Sequence, residues 1–373
     1  MEAIISIKDY KECLFRTLTE VYPIYLKKKI LRKMSEDDII INDKRKTLNG
    51  QLNMMMINVS DIDGIEEKLK YILEYDNESL DKKIHKYIEE FEYDKEYRHA
   101  CFFEVEGYNE ELLPCIIKEG KANIFIKTGE AYDCINDKFF MPTIKDTQDT
   151  LYIKFNHKLT NRQGEEIKYV IMAIIHKKHK LLEIRFDRVG GEYKEPSNDF
   201  YAFIINKTIK AVKGLLNIQI NNIDFKAIID YMKDEKEDVC IYAQKMTRNG
   251  SVAYLEALNN KDKIGSEELV IPILGEFKVF VNNNEELFNK SKDTMEIKKK
   301  LESLIDEIEV TSDLPKVKIN WINEGIKLGI DHEYKGNEYS FFMYYDELKE
   351  GKERMDHVRE YLIECYRELK DQT

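Results

Sequence analysis

The spacing of the apolar residues changes once along the chain, and this change restricts the fold more than any other feature. Up to about residue 90, apolar side chains recur every three or four positions, as at Ile65, Leu69 and Ile72. From Ala100 onwards, short β-type runs follow one another with turn residues between them. The sequence therefore predicts an α+β fold that begins with a helical N-terminal region.

Two apolar segments, 168–175 and 180–188, are joined by the polar tetrapeptide His176-Lys177-Lys178-His179. A connection of this length predicts a β-hairpin. A helix whose cap is Asn198 or Asp199 follows, so the order at 151–217 is strand, strand, strand, helix. The same order occurs at 316–370, and we predict two β-β-β-α units. Their residues do not align convincingly, which favours coincidence over internal duplication.

The remaining elements are predicted from turn residues and from periodicity. Arg248-Asn249-Gly250-Ser251 predicts a second hairpin, because Asn-Gly readily adopts the positive φ angles of a type I′ turn. We expect further β structure at 269–281, a half-buried helix at 284–308 and a final helix that carries apolar residues from Met355 to Leu369. A chain of 373 residues exceeds the usual size of one core. We predict a helical domain at 1–97, an α+β domain with a basic hairpin at 98–235 and an α+β domain at 236–373.

The composition limits the class of protein. Apolar residues make up 43% and charged residues 35%, which is enough to form packed domains with a strongly charged surface. The six cysteines are scattered without CxxC pairs, so we expect reduced thiols and a cytoplasmic location. The N-terminal residues do not resemble a signal peptide, and no run of apolar residues is long enough for a bilayer, so we expect no membrane partner.

The charge distribution singles out residues 154–188. The whole chain carries −12, which repels polyanions, but this stretch holds nine Lys or Arg against four Asp or Glu, a balance of +5. If these cations converge on one face, they can bind the phosphates of nucleic acid or another polyanion. The candidate binding residues are Lys154, Lys158, Arg162, Lys177, Lys178, Lys180, Arg185 and Arg188. The alternative is a solvated hairpin whose lysines discourage edge pairing.

Other charged groups are weaker candidates. The basic run at 27–33 is best interpreted as complementing the negative end of a helix dipole. His176 and His179 form HxxH, but no nearby Cys or carboxylate completes a ligand set, so we predict no metal site. His332 and His357 are isolated and are typical of surface or capping histidines.

Enzymatic motifs are also weak. Asp262, Glu276 and Lys278 offer an acid followed by Glu-x-Lys, the set that a metal-dependent nuclease would use on a strand. Such triplets recur by chance in a chain this charged. The sequence lacks GxGxxG, GxxxxGK[ST], GxSxG and HExxH, so we predict no cofactor.

Three functional hypotheses remain. The leading one is a non-enzymatic binding component of a larger assembly, with protein partners and a nucleic acid or other polyanion bound at the hairpin. The alternatives are a metal-dependent nuclease of unrecognised type and a pure protein-interaction adaptor. A role in phage defence is a background expectation for which no residue argues. The sequence does not fix the oligomeric state.

Overall fold

The computed structural model describes residues 7–43, 56–75, 77–125, 141–194, 199–248, 250–256, 272–311, 313–345 and 351–372. Helix accounts for 49% and strand for 28%, mixed along the chain, which confirms the α+β class. The chain forms two compact units, unit 1 (Met1–Ile223) and unit 2 (Asp224–Thr373). The finer division near residues 97 and 235 stays a prediction.

The helices of unit 1 are α1 (Ile7–Arg16), α2 (Ile24–Glu36), α3 (Ile65–Glu74), α4 (Glu78–Asp94), α5 (Leu113–Lys118) and α6 (Phe200–Leu216). A π-helical turn, Thr17–Val21, continues α1. The first four helices enclose an apolar cluster together with the short parallel pair β1 (Ile40–Ile41) and β2 (Ile57–Asn58). The predicted helical N-terminal region is therefore present and has its own core.

The main sheet of unit 1 is formed by β3 (His99–Glu106), β4 (Asn123–Ile124), β5 (Thr143–Asp146), β6 (Thr150–Thr160), β7 (Glu166–His176), β8 (Leu181–Phe186) and β9 (Gln219–Asn222). Its order is β9-β3-β8-β7-β6-β5-β4, and the neighbours are antiparallel except for β4 and β5. The predicted hairpin at 168–188 is confirmed, with a short 3-10 turn at Lys177–His179.

The two faces of this sheet differ in polarity. Side chains alternate between faces along a strand, so residues that pair across strands share a face. The register places Ile153, Ala173 and Ile184 on one face, which is apolar. It places Lys154 and Arg185 on the other, and both are buried.

A different helix covers each face. On the apolar face, Phe200 and Tyr201 at the start of α6 contact the rings of Tyr169 and Phe186, with centroids 6.0 and 5.7 Å apart. On the charged face, α4 contributes buried carboxylates that bond to lysines of the sheet. The central strands are therefore covered on both sides, and only one side is apolar.

Unit 2 contains β10 (Val239–Arg248), β11 (Ser251–Glu256), β12 (Asp313–Trp321), β13 (Ile326–Asp331) and β14 (Phe341–Tyr344). They form an antiparallel arrangement in the order β11-β10-β12-β13-β14. Its helices are α7 (Phe225–Glu235), α8 (Pro272–Asn283), α9 (Glu285–Phe288), α10 (Lys292–Thr311) and α11 (Lys352–Gln372). The order β6-β7-β8-α6 in unit 1 and β12-β13-β14-α11 in unit 2 gives the two predicted β-β-β-α units.

One predicted element is wrong. The part of 269–281 that the structure describes is helical, because α8 begins at Pro272 and ends at Asn283. Its apolar run has no clear period of two, and proline is well suited to the first position of a helix. The predicted helix at 284–308 is divided into α9 and α10, and Ser291 caps α10 by accepting a hydrogen bond from the Thr294 amide at 3.1 Å.

Candidate functional site

Two of the predicted binding residues, Lys154 and Arg185, are inside unit 1 rather than on its surface. The Lys154 side chain is 0% exposed, and its ammonium group contacts the carboxylates of Glu89 and Glu92 on α4. Arg185 donates to Glu183 from two nitrogens, at 2.6 and 3.0 Å. A side chain that is buried and paired in this way cannot contact a polyanion.

The buried cluster around Glu89 joins α4 to the sheet. Lys154 on β6 and Lys168 on β7 each donate to Glu92 at 2.9 Å, and both also contact Glu89. The Tyr10 hydroxyl donates to Glu89 at 2.7 Å. Burial alone would raise the pKa of Glu89, but the charges of Lys154 and Lys168 outweigh it and hold the pKa well below its ordinary value. The carboxylate therefore stays ionised inside the unit.

Two further buried pairs continue this charged layer. Lys95, just after α4, bonds to Asp187 and lies over the Tyr97 ring, 3.5 Å from its centroid. Burial lowers the pKa of Lys95 although Asp187 opposes the shift. His176 lies 2.9 Å from Glu183. Burial raises the pKa of Glu183, but the charges of Arg185 and His176 outweigh it, and the net shift is downward.

This charged layer does not resemble an active site that a substrate could enter. The side chains of Glu89, Glu92, Lys154 and Lys168 are all 0% exposed, so acid and base groups are present but enclosed. Within the described ranges, no three His, Cys, Asp or Glu residues are grouped so that they could hold a metal ion. The layer therefore acts as an internal connection between α4 and the sheet.

The other predicted cations are spread over both ends of the sheet. Lys177 is paired with Glu110 and Asp146, and Lys158 with Glu166. Arg162 lies before the first residue of β7, and Lys178 and Lys180 lie after the last one. Since β7 has 11 residues, the two ends are about 33 Å apart at the usual rise per residue. The structure does not bring the predicted residues together.

A positively charged surface that the sequence reasoning missed lies on α6. Lys207, Lys210 and Lys213 are exposed, and Phe203 beside them is 63% exposed. At 100° per residue, Phe203, Lys207 and Lys210 fall within about 60° of the helix circumference. Lys213 lies about 60° further round, so the three lysines span about 120°. We call these four residues the α6 lysine face.

No acidic residue opposes this face from its own helix, because the 17 residues of α6 include no Asp or Glu. In the part of the chain that the structure describes, none of the three lysines forms an ion pair with a carboxylate. The sequence contained the signal, three lysines at i, i+3 and i+6 in an acid-free helix. The net charge of residues 154–188 does not show which of them lie on the buried face of the sheet.

The N-terminal end of α6 is also cationic. Lys194 lies over the ring of Tyr201, 4.6 Å from its centroid. The pKa of His99 falls to about 3, mainly because it is buried and also because Arg98, Lys194 and Arg188 place positive charge nearby. Arg188, one of the predicted binding residues, is exposed and therefore belongs to the surface at this end.

The path of α6 connects the two ends of the sheet. Its N-terminal Tyr201 contacts His99 and Phe186, where β3 begins and β8 ends. Its C-terminal end leads into β9, which pairs with the last residues of β3, and the Val105 amide donates to the Lys180 carbonyl at 2.8 Å. The helix therefore runs from the end that carries Arg188 towards the end that carries Lys180.

The remaining candidates do not form sites. Glu276 and Lys278 lie on helix α8, where a two-residue spacing turns side chains about 200° apart, and Asp262 lies outside the described residues. In the 27–33 run, Lys27 is buried and bonds to Glu66. His332 is buried and bonds to Ser340, and burial lowers its pKa to about 4. The cysteines that the structure describes form no disulfide.

Comparison with known proteins gives no relative. No family model matches the chain, no curated protein resembles its sequence, and no solved structure matches its fold. Of the helices in the described ranges, none combines the length and the apolar character needed to cross a membrane.

Proposed function

We propose that the protein is a non-enzymatic component of a larger assembly and that it binds nucleic acid through the α6 lysine face. The observation that carries the proposal is the exposed set of Lys207, Lys210 and Lys213 on a helix without acidic residues. Lysines that neutralise phosphates release counterions, which gives affinity without base recognition. Because the chain as a whole is at −12, binding depends on this local concentration of positive charge.

The exposed aromatic ring in this face favours a single strand over a duplex. Phe203 lies on the same side of α6 as Lys207 and Lys210, so a base can stack on the ring while the backbone follows the lysines. Stacking on one aromatic side chain typically contributes about 1–3 kcal/mol and does not depend strongly on the base. In a duplex the base faces are already stacked on each other, so the ring would contribute little.

The test compares two triple charge reversals that change the net charge equally. One variant carries Lys207→Glu, Lys210→Glu and Lys213→Glu. The matched control carries Arg162→Glu, Lys178→Glu and Lys180→Glu, which are exposed residues of the two hairpin tips. Binding of a fluorescent single strand at low salt is measured for both. We expect the α6 variant to lose binding by about 100-fold or more and the control to change by about threefold or less.

Each other outcome has a definite meaning. Loss of binding in the control with retention in the α6 variant returns the site to the hairpin tips and contradicts the proposal. A parent protein that binds heparin but neither DNA nor RNA also contradicts the proposal. Phe203→Ala weakens single-strand binding more than duplex binding if the ring stacks on a base, and an equal loss for both removes the preference for single strands.

A further inference from the structure

Helix α10 of unit 2 has an apolar stripe of which Ile297 and Leu304 are exposed and Leu301 and Ile308 are half-buried. Ile305 is buried and faces α8, where Val281 is also buried. Ile297, Leu301, Leu304 and Ile308 follow at spacings of four, three and four residues, which is the repeat of a coiled-coil seam. Ile297 is 52% and Leu304 is 49% exposed. The stripe is therefore suited to a second helix.

The two halves of α10 carry opposite charge. Residues 292–300 contain four lysines and two acids, and residues 301–311 contain four acids and no cation. Acids at the C-terminal end of a helix are unfavourable because that end is already negative. The order Lys298 to Glu302 is also the weaker orientation of an i, i+4 pair. Glu296 and Lys300 do form an i, i+4 pair in the stronger orientation. The separation of basic and acidic residues into two halves is nevertheless unfavourable for the helix dipole.

We propose that α10 pairs with α10 of a second copy of this chain in antiparallel orientation. Antiparallel pairing places the basic half of each helix beside the acidic half of the other, whereas parallel pairing would place like charges together. A two-fold axis between the helices makes the interface self-complementary, as closed dimers require. The exposed apolar stripe is buried by its own copy.

The spacing of the stripe fixes the register of the pair. Leu301 of one copy lies opposite Leu304 of the other, and Ile297 lies opposite Ile308. Lys300 and Glu307 then flank the seam and meet across the two-fold axis, so the pair occurs twice in the dimer. Both side chains are exposed within one chain, at 75% and 62%, where Lys300 contacts Glu296 and Glu307 contacts Arg248. Exposed ion pairs within one chain are weak, so they do not prevent Lys300 and Glu307 from pairing with the second copy instead.

The first test measures the mass of the full chain in solution over a range of concentrations. We expect a concentration-dependent increase towards twice 44.3 kDa. Replacing both Ile297 and Leu304 with Glu weakens the dimer by about tenfold or more, because it puts a charge into the central and the outer apolar pairs, and buried apolar anchors carry most of the affinity of an interface. Circular dichroism confirms that this variant is folded. A parent chain that stays monomeric, or a dimer that survives the double change, overturns the proposal.

A charge exchange tests the orientation. Lys300→Glu alone and Glu307→Lys alone each place like charges together twice and weaken the dimer. The double variant keeps the net charge of the parent and restores opposite charges across the axis, so it recovers dimerisation. Failure of the double variant to recover beyond the single ones contradicts the antiparallel register. Because α10 belongs to unit 2 and the α6 lysine face to unit 1, either proposal can fail without the other.

Discussion

At the scale of single residues, lysines of unit 1 have two opposite environments. Lys154 and Lys168 are enclosed and contact the carboxylates of Glu89 and Glu92. The lysines of the α6 lysine face are exposed to solvent. An enclosed ammonium that is neutralised by carboxylates contributes little to the surface potential, while an exposed one can attract phosphate. The position of each lysine relative to the sheet therefore decides its role.

Burial also affects the histidines, and it makes a pH dependence predictable. His85 is buried against Tyr10, with ring centroids 5.3 Å apart, and burial lowers its pKa to about 4. An unfolded histidine has its ordinary pKa near 6.5, so the unfolded chain binds this proton more readily. The contribution of His85 to stability is complete above pH 6.5 and is lost as the pH falls towards 4.

We expect His85→Phe to make unfolding less sensitive to acid. Between pH 7 and pH 5 the parent should lose about 2 kcal/mol of stability through this one group, and the variant should not lose that part. Urea unfolding at the two pH values measures the difference. Each protein serves as its own control, because the quantity compared is its loss of unfolding free energy between pH 7 and pH 5. Equal losses in the parent and the variant would refute this account of His85.

At the scale of elements, α4 is held to the sheet by charge as well as by apolar contacts. Removing one partner of a buried ion pair leaves an uncompensated charge, which typically costs about 3–5 kcal/mol. We therefore expect Lys154→Met to destabilise the chain by about that amount. Lys158→Met is the matched control, since Lys158 is on the same strand but pairs with Glu166 near the surface. Its expected cost is about 1 kcal/mol or less, and equal costs in denaturant unfolding would contradict the role of the cluster.

Local patterns were sufficient for most elements and insufficient for the site. The hairpin of β7 and β8 follows from two apolar runs and a polar tetrapeptide, and the final helix follows from its three- and four-residue spacing. Helix α8 was mistaken for a strand because its apolar run has no distinct period. The burial of Lys154 could not be predicted from local sequence. It arises because α4 crosses that face of the sheet and brings carboxylates from about 60 residues earlier in the chain.

At the scale of the whole molecule, each unit has a surface to which we assign a binding role. Unit 1 presents uncompensated positive charge on α6, in a chain whose total charge is −12. Unit 2 presents an apolar stripe on α10, whose N-terminal half is basic and whose C-terminal half is acidic. On our two proposals, the first surface binds nucleic acid and the second binds another copy of the chain.

The salt dependence of binding tests the central claim most directly. For the parent, the logarithm of the binding constant for a single strand should fall linearly with the logarithm of salt concentration. Lys207→Gln, Lys210→Gln and Lys213→Gln together remove three phosphate contacts, so the slope should become shallower by about 2. An unchanged slope in the triple variant, or no binding by the parent at low salt, would contradict the assignment of the α6 lysine face.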